Sequence, residues 1–299
     1  LRGRVDRISP EAPVPVLRYL HQEDRLGGAG NVAINLVALG ARATTAGISG
    51  ADENRDLLSG ALAANGIDSI LVPDPDRPTT VKTRLIAQDQ QLLRIDREST
   101  EDPAAGIVQR LLDAIGNCIA GGNVDLIILQ DYNKGVLTPA VIRQVTTWAL
   151  AAAIPIAVDP KAANFWAYTD VDLFKPNLRE IQQQCGFPLT PDAPSLDRAA
   201  ALLFERLRCK GIMITLSEHG IYTHDGVRSG IQPTRARRIA DVSGAGDTVI
   251  SVAACAMAMG MDLMESARLA NLAGAQVIAQ PGVAAVDRIA LAQAWQKEA

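Results

Sequence analysis

From Arg42 to Leu216, short apolar runs alternate with longer stretches whose apolar residues recur every three or four positions. Arg42 to Ile48, Ile67 to Val72, Val124 to Leu129, Ile154 to Val158, Asp172 to Lys175 and Gly211 to Leu216 have strand length. Asp52 to Asn65, Ala104 to Ala120, Thr138 to Ala152 and Ser195 to Arg208 have helical spacing. Strands separated by whole helices cannot pair as hairpins. They line up in parallel, and the connecting helices cover the sheet faces. The alternation predicts an α/β fold with a mostly parallel central sheet. A hydrophobic content of 48% with only 4% aromatics suits helices packed on such a sheet, and 299 residues suffice for one large domain.

Other segments flank this core. The opening residues read as polar and turn-like. Val14 to Leu20, Thr79 to Ala87 and Gln91 to Asp96 are β-rich, with Pro13, Pro15 and Pro78 between them, and predict a small sheet outside the main layer. Helical spacing runs from Asn31 to Leu39, Thr248 to Met259, Leu263 to Ala279 and Asp287 to Ala294.

Asp241-Val-Ser-Gly-Ala-Gly-Asp-Thr-Val249 opens the first of the two Ala-rich C-terminal helices. Lacking a Cβ, Gly244 and Gly246 let the backbone turn sharply, gathering the N–H groups of Gly244, Ala245, Gly246 and Asp247 at a helix start that suits an anion. A carboxylate beside bound phosphate is repelled as a ligand, but it can deprotonate a hydroxyl that attacks phosphorus, so Asp247 is the candidate general base. Taken alone, the pattern describes an acidic first turn on a glycine-led helix equally well.

A net charge of −4 gives no general reason to bind nucleic acid or an anionic membrane, so a phosphate ligand must meet local cations. Arg235, Arg237 and Arg238 form one such cluster. The four cysteines are far apart without a Cys-x-x-Cys pair, which reads as reduced thiols. With no apolar stretch of membrane-spanning length and no secretory signal, the expected location is the cytoplasm. Gly28-Ala-Gly30-Asn-Val-Ala33 fits a dinucleotide fingerprint, but the preceding His21 to Arg25 is mostly polar where that fingerprint needs a buried strand. No Gly-x-x-x-x-Gly-Lys-Ser/Thr loop occurs, which disfavours a P-loop kinase.

Gly27-Gly28-Ala-Gly-Asn31, Lys175-Pro-Asn-Leu-Arg-Glu180 and Asp241-x-Ser-Gly-Ala-Gly-Asp247, in that order, resemble the ribokinase (PfkB) carbohydrate kinase family over essentially the whole chain. Within it, Arg7-Ile-Ser-Pro-Glu-Ala-Pro-Val-Pro-Val16, Gln90-Gln-Leu-Leu-Arg-Ile-Asp96, Asp131-Tyr-Asn-Lys-Gly135 and Asp159-Pro-Lys161 are similar to the branch that phosphorylates D-glycero-D-manno-heptose 7-phosphate for lipopolysaccharide core synthesis.

The resemblance implies a ribokinase-like three-layer sandwich with a small β-sheet lid. It also implies one kinase domain over 1–299, lid strands from about 1–25 and 78–97, and a first core strand missing before residue 1. The implied reaction is ATP-dependent phosphorylation at the anomeric C1 hydroxyl, with Mg2+. Gly27, Gly28 and Asn31 would face the sugar, joined by Asp131 from its place at the carboxyl end of a strand, where ligands of open α/β sheets gather, and Lys82, Arg84 and Arg94 on the lid would meet its 7-phosphate. Lys161, Asn177, Glu180, Thr215, Ser217, Gly220 and Asn271 would serve the nucleotide, with Asn177 and Glu180 holding Mg2+ through water. The lid mediates dimers in some relatives, so a homodimer is expected.

Local chemistry offers plainer accounts. Asn177 followed by Glu180 has capping-box spacing, Lys161 suits an exposed loop, and Lys82, Arg84 and Arg94 suit a charged sheet edge. Two other functions stay open: a kinase of the same fold for ribose, fructose or a ketodeoxy acid, and a non-catalytic sugar or nucleotide sensor. Some heptose kinases are fused to a nucleotidyltransferase. A chain of 299 residues without a His-x-Gly-His element is expected to be a stand-alone kinase or the kinase half.

Overall fold

A computed structural model of the chain describes residues 1–88, 90–234 and 239–298. The elements run β1 (Arg2–Ile8), β2 (Pro15–His21), α1 (Ala29–Leu39), β3 (Thr44–Gly50), α2 (Glu53–Ala64), β4 (Asp68–Asp74), β5 (Val81–Ala87) and β6 (Gln90–Arg97). Then follow α3 (Ala105–Ala120), β7 (Ile127–Gln130), α4 (Pro139–Ala151), β8 (Ile156–Asp159), β9 (Leu173–Phe174), α5 (Leu178–Gln184), α6 (Ala193–Leu207) and β10 (Gly211–Thr215). The chain closes with β11 (Ile221–His224), β12 (Ser229–Gln232), α7 (Ala245–Ala258), α8 (Leu263–Ile278) and α9 (Arg288–Glu298).

The main sheet has the order β12-β11-β10-β9-β8-β7. Strands β7 to β10 are parallel, whereas β11 and β12 extend the sheet antiparallel. Side chains alternate across a strand, and both faces are covered. Ile156, Val158, Phe174, Ile212 and Ile214 pack with α4 and α6, while Ala157, Leu173 and Met213 pack with α1, α7 and α8. Helix, sheet and helix make the three layers.

The expected continuous sheet is broken. β3 and β4 pair in parallel as a sheet of their own. A cavity of about 200 Å3 lies between Thr45–Ile48 of β3 and Gln130–Tyr132 at the end of β7. Each of these strands has only one partner among the described residues.

The outlying sheet has the order β2-β1-β5-β6. Its β1 arises from residues that read as turn-like, because both of its faces are largely open and no apolar alternation marks it. Pairing with β2 on one side and β5 on the other recruits it instead. None of the described helices is long and apolar enough to cross a membrane.

Candidate active site

Parallel strands deliver their C-terminal residues to one edge of the sheet. Gln130 ends β7, Asp159 ends β8 and Lys175 directly follows β9. The N-termini of α1 and α7 reach the same edge, because Asn31 near the start of α1 and Asp247 near the start of α7 are hydrogen-bonded to each other.

Asp247 is 7% exposed. Its Oδ2 accepts from Asn31 Nδ2 at 2.8 Å, and its Oδ1 accepts from the Tyr132 hydroxyl at 2.7 Å and from Gln130 Nε2 at 3.3 Å. Burial pushes the carboxyl above its ordinary range and nearby Asp159 adds to the rise, while Asn31, Tyr132 and the charge of Lys175 pull in the opposite direction. Among the described residues no cation pairs with it directly. The group is a stronger base than an exposed aspartate and is not locked in an ion pair.

Of the four expected amides, that of Ala245 turns back to the Val242 carbonyl at 3.3 Å, whereas those of Gly244, Gly246 and Asp247 meet no acceptor among the described residues. Gly244 has φ 81°, and a Cβ there would lie 2.8 Å from Asn31 Nδ2. Gly244→Ala therefore strains the backbone and displaces the amide that holds Asp247. A stability loss of about 1–2 kcal/mol is expected by urea unfolding, together with a fall in turnover; a variant with wild-type stability and kinetics would refute this account of the turn.

Beneath the first turn of α7 lies Lys175, 2% exposed, whose Nζ meets Asp159 Oδ2 at 3.1 Å. A Cβ on Gly246 would sit 3.9 Å from that Nζ, so the buried cation lies directly under the glycine turn. Asp159 Oδ2 also accepts from Gln130 Nε2 at 3.0 Å, which joins the ion pair to the hydrogen bonds around Asp247.

Lys161 pairs with Glu180. Burial opposes the charge of Lys161, but Asp159 and Glu180 more than offset that and raise its pKa. Glu180 closes the expected capping box: its N–H donates to Asn177 Oδ1 at 2.8 Å, and the Asn177 N–H donates to Glu180 Oε2 at 2.9 Å. Asn177 forms a parallel bridge with Thr215 at the end of β10, and the short turn from Ser217 to Gly220 follows. Asn271 Nδ2 donates to the Pro233 carbonyl at 2.7 Å and so fastens the chain leaving β12.

Asp131 has both oxygens engaged, by the Tyr168 hydroxyl at 2.7 Å and the Asn133 amide at 2.8 Å, so it shapes the 131–135 loop. The next residue, Tyr132, is the one that reaches Asp247. Gly28 adopts φ 56° and ψ −131°, open essentially only to glycine, and a Cβ there would lie 3.2 Å from the Tyr132 ring. Gly27, Asp131, Tyr132 and Lys134 line the cavity beside β3.

On the lid, Lys82 Nζ lies 3.0 Å from Asp96 and 2.7 Å from Glu98, and Arg94 lies 2.9 Å from Asp96. Arg84 makes no ion pair among the described residues. Asp241 is held below its usual range chiefly by the Ser243 amide, with a smaller contribution from the charge of Arg84. Arg235, Arg237 and Arg238 lie outside the described residues.

No group of three or more His, Cys, Asp or Glu side chains among the described residues is arranged to hold a metal by itself. One carboxylate, Glu180, suits a hydrated magnesium whose other ligands are phosphate and water. Gln130, Tyr132, Asp159 and Lys175 carried no expected role, although the last three stand in the motifs behind the family resemblance. The available signal was their place at, or just beyond, the C-terminal ends of predicted strands.

Strand ends and helix starts converge on one buried carboxylate, an arrangement that suits phosphoryl transfer to a small molecule. The chain belongs to the pfkB family of carbohydrate kinases, whose sequence profile matches residues 1–289. It is 43% identical over 288 residues to bifunctional protein HldE of Trichlorobacter lovleyi, a match covering 96% of this chain and 58% of that protein. The chain thus spans somewhat over half the length of this relative. Its fold matches phosphofructokinase-2 from Escherichia coli in complex with potassium (TM-score 0.76, 18% identity, 99% of this chain, 94% of the other). It also matches ribokinase of Arabidopsis thaliana complexed with ribose and ATP (TM-score 0.72, 19% identity, 98% of this chain, 94% of the other). The fold is ribokinase-like, as the motifs implied, and the enzyme class is a phosphotransferase acting on a sugar hydroxyl.

Proposed function

We propose that the chain transfers the γ-phosphoryl group of ATP to the anomeric C1 hydroxyl of D-glycero-D-manno-heptose 7-phosphate, giving the 1,7-bisphosphate used for ADP-heptose and lipopolysaccharide core synthesis. The observation that carries this reading is Asp247, a buried carboxylate made more basic by burial, in the first turn of a helix where the amides of Gly244, Gly246 and Asp247 meet no acceptor among the described residues. Asp247 takes the hydroxyl proton as the sugar oxygen attacks phosphorus. The amides of Gly244, Gly246 and Asp247 meet the charge that develops on the equatorial oxygens, and Lys175 adds positive potential from below. Asn31 keeps the carboxylate aimed. Magnesium, when bound, neutralises phosphate charge; Glu180 would hold it through water, with Asn177 fixing Glu180 and Lys161 facing the phosphates. We assign Thr215, Ser217, Gly220 and Asn271 to the nucleotide side, and Gly27, Gly28 and Asn31 to the sugar side.

The heptose identity rests on the segments that resemble heptose 7-phosphate kinases. The distal phosphate is assigned to the lid face bearing Lys82, Arg84 and Arg94, with Arg84 foremost because the other two already have carboxylate partners. A coupled ADP-release assay comparing the heptose 7-phosphate with unphosphorylated heptose, ribose and fructose tests this. The heptose phosphate should have the highest kcat/KM; a higher value for any of the others removes the assignment.

The cavity between β3 and β7 is assigned to a further parallel strand from outside residues 1–299, making one continuous domain. Amide exchange at Thr45–Ile48 should slow when the upstream-encoded residues are restored, and unchanged exchange would count against that strand. Tyr19, Leu20, Leu93 and Ile95 leave apolar surface on the lid, which we assign to a second copy; sedimentation as a monomer at micromolar concentration would refute it. The substrates, ATP and a sugar phosphate, place the reaction in the cytoplasm.

A further inference from the structure

Both oxygens of Asp247 are engaged, and one of them already carries an alcohol. The Tyr132 hydroxyl donates to Oδ1 at 2.7 Å, closer than the 3.3 Å contact from Gln130. Beside Asp247, burial foremost and then that carboxylate's charge push the phenol pKa up, so the hydroxyl remains a proton donor. One side of the ring rests against the backbone of Gly28, yet the residue as a whole is 38% exposed. Its hydroxyl lies in the site while the rest of the side chain borders the cavity beside β3.

The loop that carries Tyr132 is tied to the lid. Lys134 Nζ lies 2.5 Å from Glu98, directly after lid strand β6, and Glu98 also holds Lys82 of β5 at 2.7 Å. Arg77, just before β5, donates to the Lys134 carbonyl at 2.9 Å and to the Glu101 carbonyl at 2.7 Å, and its Nε meets Asp74 at 3.1 Å. Both roots of the lid are thereby linked to a residue two positions from Tyr132.

We infer that Tyr132 is a latch on the base, a positioning residue that covers Asp247 until a sugar hydroxyl displaces it as the lid settles. The latch selects sugar over water as acceptor. The inference rests on the kinase reading. A water that reached Asp247 would give its proton to the carboxylate while its oxygen bonded to the γ-phosphorus. The bond from phosphorus to the ADP oxygen would break, leaving ADP and inorganic phosphate. The phenol on Oδ1 obstructs this loss, and a sugar held by its other hydroxyls and its phosphate supplies the binding energy to move it.

Tyr132→Phe removes the hydroxyl and keeps the ring against Gly28. With magnesium and ATP but no sugar, the variant should release ADP about tenfold faster than wild type, the size expected for losing one hydrogen bond to a charged group. Transfer to the heptose 7-phosphate should change less, and the KM for that sugar should fall. The ratio of hydrolysis to transfer is a quantity that a merely structural role would not raise. A second readout needs no ATP: adding the heptose 7-phosphate alone should perturb tyrosine absorbance in the wild type and not in the variant. An unchanged or lowered ratio in a variant that melts like wild type overturns the latch, as does an equal absorbance change in both proteins. Wild-type protein that transfers phosphate to no sugar would instead overturn the kinase reading, and the absorbance comparison still decides whether Tyr132 moves.

Discussion

Asp247→Asn retains the fold and loses turnover by about 100-fold to 10,000-fold, the range that general base catalysis supplies. Asparagine keeps the shape: its oxygen can accept from Asn31 while its NH2 donates to the Tyr132 hydroxyl oxygen, but it cannot take a proton. The stability effect has the opposite sign. Burial raises the Asp247 pKa, so the ionised carboxylate costs stability in the fold at neutral pH, and that cost is relieved as pH falls through the raised pKa. The variant should therefore melt no lower than wild type at neutral pH, and any advantage should vanish on acidification. Wild-type activity should fall with decreasing pH through that same elevated value, above the ordinary carboxylate range, because only the ionised form accepts the proton. A variant with near-wild-type kcat would remove Asp247 as the base, and one that melts far lower would mean the charge is structural.

Lys175→Met should be the most destabilising of these substitutions. With side chains 2% and 8% exposed, Lys175 and Asp159 form a buried ion pair. Removing one member of such a pair costs about 3–5 kcal/mol because the other charge stays buried without compensation. Asp159 would keep only its Gln130 hydrogen bond, and Lys161, whose charge it also feels, already pairs with Glu180. The double variant Lys175→Met, Asp159→Asn should recover much of that stability, since replacing both members is often close to neutral. Turnover should stay low in both proteins, because the cation under the glycine turn is gone. Urea unfolding of the two proteins measures the difference; a single-variant cost below about 1 kcal/mol would mean that water reaches the pair.

Much of the α/β layout was legible because period and punctuation are local. The helix expected over Asp52 to Asn65 forms over Glu53–Ala64, with Asp52 as the cap that accepts from the Arg55 amide at 3.3 Å. Asn177 and Glu180 form the expected capping box. β11 and β12 escaped notice because four-residue strands scarcely display a period. His224 ends β11, and Asp225 sits in the turn that follows, where the amides of Arg228 and Val227 lower its pKa to about 2.

Position at the carboxyl end of β7 singles out Asp131 but does not say where it and its neighbours point. At a strand end, a shift of one residue changes the direction of the side chain. Gln130 reaches Asp159 and Asp247, Asp131 turns to Tyr168, and Tyr132 returns to Asp247. Lys82 and Arg94 looked like free cations because nothing local reveals that Asp96 and Glu98 would lie beside them across the β5–β6 pairing.

The sequence by itself determined that strands alternate with helices, that a glycine turn opens α7 and that an aspartate stands in its first turn, since each follows from residues within a few positions of one another. Only the tertiary structure decided what that aspartate meets. Its partners Asn31 and Tyr132 lie 216 and 115 residues away along the chain. Desolvation and charge coupling depend on distance through space, and no spacing along the chain encodes it.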